Sequence, residues 1–237
     1  MKKKIIITGG LGYIGTELCK LYSGVSWNNK IIVIDNRFIS ERVNQLRNWN
    51  IQFVQGDILD KKLIEEHCKD ADVVHHLAGI TDVPRTKSDS SESQDSKIKI
   101  VAEDGTQNIL NSIGNKCKII FPSTHVVYEG VKEIQKEISE EEELKPILSY
   151  SNSKALNEKQ LKKSGKNYII LRLGSVYGYS TDTARIDIMP NLFSKIASQD
   201  GTIKLFAGGR QTKSLVPLVD VARCFKEMEE NENISSD

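Results

Sequence analysis

The stretch TGGLGYIG occupies residues 8–15, directly after an apolar run at residues 5–7. Glycines at this spacing are typical of a tight turn between a strand and a helix, in which the backbone approaches a pyrophosphate closely. The amino terminus of the following helix presents N–H groups and a partial positive charge to phosphate. The stretch therefore predicts a strand–turn–helix unit with a phosphate site. Two glycine registers are possible, Gly10-x-Gly12-x-x-Gly15 and Gly9-x-x-Gly12-x-x-Gly15.

The alternation of strand and helix continues along the chain. Short β-branched runs precede longer amphipathic stretches, and the runs are continuously apolar, as in strands that are covered on both faces. We predict an α/β fold with a doubly wound parallel sheet of the Rossmann type. The predicted strands are Lys4–Thr8, Lys30–Asp35, Gln52–Gln55, Asp72–His76, Lys118–Pro122 and Tyr168–Leu173. The predicted helices begin near Tyr13, Ser40, Asp60, Ser96 and Ser149.

Two polar stretches interrupt this pattern. The serine-rich residues 86–97 predict a mobile surface loop, and the acidic run at 132–145 predicts a solvated face or loop. We divide the chain into a Rossmann domain, residues 1–177, which carries the glycine turn and the helix that begins near Ser149, and a small carboxyl-terminal lobe, residues 178–237. Within that lobe, residues 216–230 are predicted to pack back on the Rossmann domain.

Composition excludes several classes of protein. The chain has 237 residues and a net charge of +1, so no strong field favours nucleic acid or a membrane surface. No apolar stretch approaches the length of a membrane-spanning helix. The four cysteines are scattered, without the spacing of a metal site or a disulfide framework. We expect a cytoplasmic protein with reduced thiols, no metal site, no nucleic-acid partner and no membrane association.

An acidic residue, Asp35, ends the second predicted strand about twenty residues after the last glycine, where dinucleotide-binding units place a partner for ribose. A carboxylate at this position accepts hydrogen bonds from both hydroxyls of the adenosine ribose and repels a 2′-phosphate. This favours NAD over NADP. Arg37 argues in the other direction, because a guanidinium can pair with a 2′-phosphate.

The ends of the third and fourth predicted strands carry further candidates. Asp57 either contacts the adenine amino group or belongs to a helix N-cap, and the residue types do not decide between the two. Ala78 and Gly79 are small enough for a cofactor to lie against the backbone. The neighbouring His75 and His76 have no third ligand at metal-site spacing, so we interpret them as packing or polar-network residues.

A chemical site is indicated by YSNSK, in which Tyr150 and Lys154 share one helix face. A phenol has a pKa of about 10, and a nearby ammonium together with a positive nicotinamide favours the phenolate. Tyr150 can then take a proton from an alcohol while hydride leaves the adjacent carbon. The pair gains significance from the preceding strand, which places Ser123 and Thr124 at the carboxyl edge, where a hydroxyl can donate to a substrate oxygen.

Together these motifs resemble the extended short-chain dehydrogenase/reductase superfamily, in particular its nucleotide-sugar epimerase/dehydratase branch. They occur in the family's order and span nearly the whole chain. The matching pieces are TGGLGYIG, VIDN at 33–36, GDI at 56–58, HLAG at 76–79, DGTQNIL at 104–110, STHVVY at 123–128, YSNSK at 150–154 and RLGSVYG at 172–178.

The resemblance implies an NAD site made from the turns that follow the strands. In such a site the glycine turn and the first helix hold the pyrophosphate, the second strand holds the adenosine ribose, the third turn borders the adenine, and the fourth strand end lines the cofactor. The residues at these positions are, in order, Gly9, Gly12, Tyr13, Ile14 and Gly15; Asp35 and Asn36; Asp57 and Ile58; and Leu77, Ala78 and Gly79. The implied catalytic triad is Thr124, Tyr150 and Lys154, and its last two members also belong to the cofactor site.

The resulting expectation is an NAD-dependent epimerase similar to UDP-hexose 4-epimerases, acting on a nucleotide-diphosphate sugar. Dehydratases of this branch usually carry an acidic pair after the Thr124 position, whereas this chain has His125 and Val126, which argues against 4,6-dehydration. The alternatives are a 4-keto-sugar reductase or other net oxidoreductase, and a catalytically silent dinucleotide-binding protein. A homodimer is expected by analogy alone.

The carboxyl-terminal part departs from the family pattern. Ser175 stands where the family usually has Asn, and residues 213–216 replace a motif that commonly reads Arg-Asp-Phe-Val. Family members usually continue for many tens of residues beyond the length of this chain. We therefore expect a truncated substrate lobe.

Overall fold

The computed structural model describes residues 2–25, 28–81, 91–132, 137–181, 185–210 and 212–234. Its centre is a parallel sheet of six strands in the order β3-β2-β1-β4-β5-β6. These strands are β1 (Lys4–Thr8), β2 (Lys30–Asp35), β3 (Gln52–Gln55), β4 (Val73–His76), β5 (Lys118–Thr124) and β6 (Asn167–Leu173). The strand order reverses between β1 and β4, which creates the crevice where doubly wound sheets bind ligands.

Seven α-helices in the described residues accompany the sheet. They are α1 (Tyr13–Tyr22), α2 (Ser40–Asn48), α3 (Lys61–Cys68), α4 (Glu92–Ser112), α5 (Ser149–Lys163), α6 (Met189–Ala197) and α7 (Leu218–Glu230). The predicted α/β fold with a Rossmann sheet is confirmed. A second sheet, which the sequence analysis did not predict, pairs the short parallel strands β7 (Ser175–Tyr177) and β8 (Leu215–Pro217).

Both faces of the main sheet are covered, which explains the continuous apolar runs. Ile5 and Ile7 of β1 belong to the cluster that includes Leu18 of α1 and Phe225 of α7. Ile6 points to the opposite layer, which α3, α4 and α5 complete. Because successive side chains of a strand point to opposite faces, the inner positions Ile5, Ile6 and Ile7 of β1 all need an apolar residue.

The predicted loop at residues 86–97 is wrong from Glu92 onward, where α4 begins. The Ser91 hydroxyl accepts a hydrogen bond from the Gln94 N–H at 3.3 Å, and acidic residues occupy the first turn. Serine and acidic residues favour helix amino termini as well as loops, so the polar composition indicated the wrong structure. Residues 86–90 lie outside the described residues, as do residues 133–136 of the acidic run.

A buried polar cluster ties α7 to the main sheet. The Tyr22 hydroxyl lies 2.9 Å from Nε2 of His75 and also donates to the Glu229 carboxylate. His75 Nε2 lies 3.1 Å from the same carboxylate. From β5, the Lys118 ammonium donates to the carbonyl of Met228 at 3.0 Å. The end of α7 is thus held against α1, β4 and β5, while the division at residue 177 stays a prediction.

Candidate active site

A cavity of about 830 Å³ lies at the carboxyl ends of the parallel strands. Its wall includes the glycine turn, the ends of β2 to β5, the start of α5 and the segment before α6. Every residue that we predicted to bind the cofactor or to act in catalysis contributes to this wall. The structure thus brings together positions that are up to 145 residues apart in the chain (Gly9 to Lys154).

The glycine turn is fixed by close backbone contacts. Gly9 has a φ of +69°, and a Cβ added there would lie 2.7 Å from the backbone nitrogen of Ala78. A Cβ added at Gly15 would lie 2.5 Å from the carbonyl oxygen of Gly9. Gly9 and Gly15 therefore cannot carry a side chain without moving backbone, which explains the register that begins at Gly9.

The start of α1 provides donors for an anion. Gly12 is the N-cap and provides no capping side chain, and the first backbone hydrogen bond into the helix runs from the Thr16 N–H to the Gly12 carbonyl at 2.9 Å. The N–H groups of the preceding first-turn residues need another partner. A glycine cradle beside such a helix terminus suits a pyrophosphate, so these residues fit a dinucleotide.

The Asp35 carboxylate is buried and already has protein donors. Its Oδ2 accepts a hydrogen bond from the Leu11 N–H at 3.0 Å. Its Oδ1 accepts from the Arg37 N–H at 3.0 Å and from Arg37 Nε at 3.3 Å. The Asp35 carboxylate, which favours NAD, and the Arg37 guanidinium, which suits a 2′-phosphate, are therefore direct neighbours at the end of β2.

Asp57 and Asp60 have different roles in the turn after β3. Asp60 is the N-cap of α3 and accepts hydrogen bonds from the N–H groups of Lys62 and Leu63. Asp57 instead accepts from the Leu59 N–H and, at 3.0 Å, from the side-chain amide of Asn36. The helix cap is thus Asp60, and Asp57 joins the ends of β2 and β3 at the cavity.

His76 supports the wall that β4 contributes. Its Nδ1 lies 2.9 Å from the Thr8 hydroxyl and its Nε2 lies 3.0 Å from the Thr106 hydroxyl. The Thr8 hydroxyl also accepts a hydrogen bond from the Ala78 N–H at 3.2 Å. Burial, with a smaller effect of the Lys154 charge, lowers the pKa of His76 to about 3, so the ring is neutral. This residue belongs to a polar network, in agreement with our interpretation.

The side chains of Thr124, Tyr150 and Lys154 meet at the β5 side of the cavity. The Lys154 ammonium donates to the Pro122 carbonyl at 2.7 Å, and burial lowers its pKa to about 8. Burial raises the pKa of the Tyr150 phenol, while the charge of Arg185 and a hydrogen bond with Thr124 oppose that shift. A phenol, a hydroxyl and a cation at one point can transfer a proton to and from a substrate hydroxyl.

His125 lies in the same wall and has a defined tautomer. Its Nδ1 lies 3.0 Å from the Leu173 carbonyl, which can only accept, so Nδ1 carries the proton. In the neutral ring Nε2 is then an acceptor. The residue next to Thr124 is thus polar, whereas the following Val126 has no group that transfers protons.

Two residues of this region, Arg185 and Asn191, were not predicted from the sequence. Arg185 lines the cavity, and the Asn191 side chain accepts a hydrogen bond from the Gly178 N–H at 3.0 Å and donates one to the Tyr13 hydroxyl at 3.2 Å. Neither residue belongs to a motif with a known spacing, so only the fold relates them to the glycine turn.

Within the described ranges, no helix has both the length and the apolar character needed to cross a membrane. The Rossmann sheet, the glycine turn and the Tyr-x-x-x-Lys helix together define an extended short-chain dehydrogenase/reductase. The model of the NAD dependent epimerase/dehydratase family matches residues 5–236, and the chain belongs to this family.

Known relatives within this family differ in their reactions. The chain is 28% identical over 94% of its length to a dTDP-D-glucose 4,6-dehydratase of Dictyostelium discoideum, of which it covers 54%. It is 30% identical over 92% of its length to a putative UDP-glucose 4-epimerase of Methanocaldococcus jannaschii, of which it covers 71%. The chain thus spans only about half of the dehydratase.

The fold of this chain is also similar to that of a solved epimerase structure. The UDP-glucuronic acid 4-epimerase of Bacillus cereus, in complex with UDP-glucuronic acid and NAD, is 26% identical to this chain, with a TM-score of 0.78. The similarity covers 97% of this chain and 74% of that one.

Proposed function

We propose that this chain is an NAD-dependent epimerase that inverts C4 of a nucleotide-activated sugar through a 4-keto intermediate. The observation that carries the proposal is the position of Thr124, Tyr150 and Lys154 in the wall of the cavity that the glycine turn and Asp35 also line. A reacting sugar hydroxyl near β5 and a dinucleotide along the crevice would share one site.

In the proposed reaction Tyr150 is the base that takes the proton of the 4-hydroxyl. A bound NAD would supply the acceptor, and later the donor, of the C4 hydride. The Thr124 hydroxyl donates to the sugar oxygen and holds it near the phenol. The Lys154 ammonium, fixed on the Pro122 carbonyl, stabilises the negative charge on the phenolate. After the sugar has turned, Tyr150 returns the proton to the 4-oxygen.

Epimerisation is favoured over dehydration by the residues after Thr124. Loss of water across C5 and C6 requires an acid and a base beside the sugar, and Val126 offers neither. The structural similarity to a UDP-glucuronic acid 4-epimerase supports the same choice. A net reductase is the second candidate, because Thr124, Tyr150 and Lys154 would equally serve a reaction that stops after one hydride transfer.

The proposal is tested by incubating the NAD-loaded protein with UDP-glucose or UDP-glucuronic acid and following the sugar by NMR. The epimerase predicts a C4 epimer with no net change in absorbance at the reduced-nicotinamide band. A reductase predicts a stoichiometric change in that band, and a silent binding protein predicts neither signal.

The expected homodimer predicts a mass of twice 26.6 kDa by light scattering.

A further inference from the structure

Arg185 spans the crevice at which the order of the sheet reverses. Its Nη1 donates to the carbonyl of Thr81 at 3.0 Å, in the segment that follows β4. Its own carbonyl accepts from the side-chain amide of Asn191 at 3.0 Å, and the same amide donates to the hydroxyl of Tyr13, the first residue of α1. Arg185 is therefore tied to both sides of the crevice, at β4 and at the glycine turn.

The guanidinium of Arg185 is a half-buried cation on the cavity wall. A guanidinium has five N–H donors, and the described structure shows a protein acceptor for Nη1 alone. Among the described residues no carboxylate lies within ion-pairing distance of it. Its charge also opposes the rise that burial causes in the pKa values of the Tyr13 and Tyr150 phenols.

We propose that Arg185 binds a diphosphate in this crevice, and that this diphosphate is the pyrophosphate of the dinucleotide. A planar guanidinium matches phosphate oxygens with two parallel hydrogen bonds. The other donors would be the uncapped N–H groups at the start of α1, beside Tyr13. The diphosphate of the nucleotide sugar has the same chemistry and is the alternative source. The inference rests on the proposed function only in taking a dinucleotide as cofactor.

A consequence follows for cofactor exchange. An epimerase has to keep its reduced cofactor until the keto sugar has been reduced again. A side chain that crosses the crevice and binds the pyrophosphate from above would slow the release of NADH. Asn191, which fixes the backbone of Arg185 to Tyr13, would act as a positioning residue for this contact.

The test compares Arg185→Met and Arg185→Lys with the unmodified chain and with Arg223→Met as a matched control. Arg223 lies on the outside of α7 and pairs with Asp220. Dissociation constants for NADH and for UDP are measured by fluorescence and calorimetry, and circular dichroism verifies folding. Loss of charge-assisted hydrogen bonds predicts an NADH dissociation constant raised about 10- to 100-fold in Arg185→Met. Arg185→Lys is expected to show a smaller rise in the NADH dissociation constant, since lysine keeps the charge but lacks the planar pair of donors of a guanidinium.

The outcomes separate the possible explanations. Unchanged NADH and UDP affinities in a folded Arg185→Met variant overturn the inference and leave the proposed epimerase intact. Weakened UDP binding with normal NADH binding overturns the assignment to the dinucleotide and supports the sugar diphosphate. An unmodified chain that does not bind NADH contradicts both the inference and the proposed function. Faster NADH release from Asn191→Leu, with folding preserved, supports the positioning role.

Discussion

The Nζ atom of Lys154 lies 5.9 Å from the centroid of the Tyr150 ring and donates its hydrogen bond to the Pro122 carbonyl instead. The charge that opposes the raised pKa of the Tyr150 phenol in this structure is that of Arg185. Burial opposes ionisation of both groups, because it raises the pKa of the phenol and lowers that of the ammonium to about 8. Formation of the phenolate thus depends on every nearby positive charge, including that of Arg185 and of a bound nicotinamide.

Replacing the proposed base tests its role directly. Tyr150→Phe removes the hydroxyl and keeps the ring that packs beside Lys154. We expect kcat to fall by about 10²- to 10⁴-fold, the usual contribution of a general base. The dissociation constant for NADH should change little, because the glycine turn and Asp35 stay intact. Full epimerase activity in this variant would remove Tyr150 from the mechanism.

The glycine turn can be tested through stability. Gly9→Ala forces a side chain into a position with positive φ and against the backbone of Ala78. We expect a loss of about 1–3 kcal/mol in the free energy of unfolding by urea, together with weaker NADH binding. Gly114→Ala is the matched control, since a Cβ there meets nothing within 4 Å. Equal stability of the two variants would contradict the role assigned to Gly9.

We expect Arg37 to influence the choice between NAD and NADP. Its guanidinium occupies Oδ1 of Asp35, which the adenosine ribose would have to share. Arg37→Leu should free that oxygen for the ribose hydroxyls and leave an uncompensated carboxylate facing a 2′-phosphate. Fluorescence titration should show the ratio of the NADPH to the NADH dissociation constant rising about tenfold or more, the effect of 1.4 kcal/mol. Arg47→Leu, in the last turn of α2, is the control. A ratio that stays constant would show that Arg37 does not take part in the choice.

Burial of His76 predicts a pH dependence of stability. Its pKa falls from 6.5 to about 3 in the folded chain. Between these values the unfolded chain binds a proton that the folded chain does not, so stability decreases as the pH is lowered from 6.5 towards 3. This contributes up to about 1.4 kcal/mol per pH unit. His76→Gln lacks the titrating ring and should show a shallower slope in urea unfolding between pH 6.5 and 4.5. Identical slopes would mean that His76 is protonated in the folded state.

The strand runs and the glycine turn made the sheet predictable, because parallel strands buried on both faces have to be apolar throughout. The residues of the cofactor motifs were predictable as a group since they end or follow parallel strands and so reach the same edge, whereas Tyr150 and Lys154 were predictable from their shared helix face. The start of α4 was not, because Ser91 and Glu92 suit a loop as well as a helix cap. Arg185 and Asn191 were also missed, since their relation to Tyr13 depends on how the segment before α6 crosses the crevice.

The central claim is that a C4 hydride is removed and returned within one site. UDP-glucose and UDP-glucuronic acid deuterated at C4 are incubated with the NAD-loaded chain, and the C4 epimer is examined by NMR and mass spectrometry. The account predicts that the epimer keeps its deuterium at C4, because the same cofactor molecule returns it. Epimer without deuterium, or deuterium that accumulates in released NADH, would contradict the account.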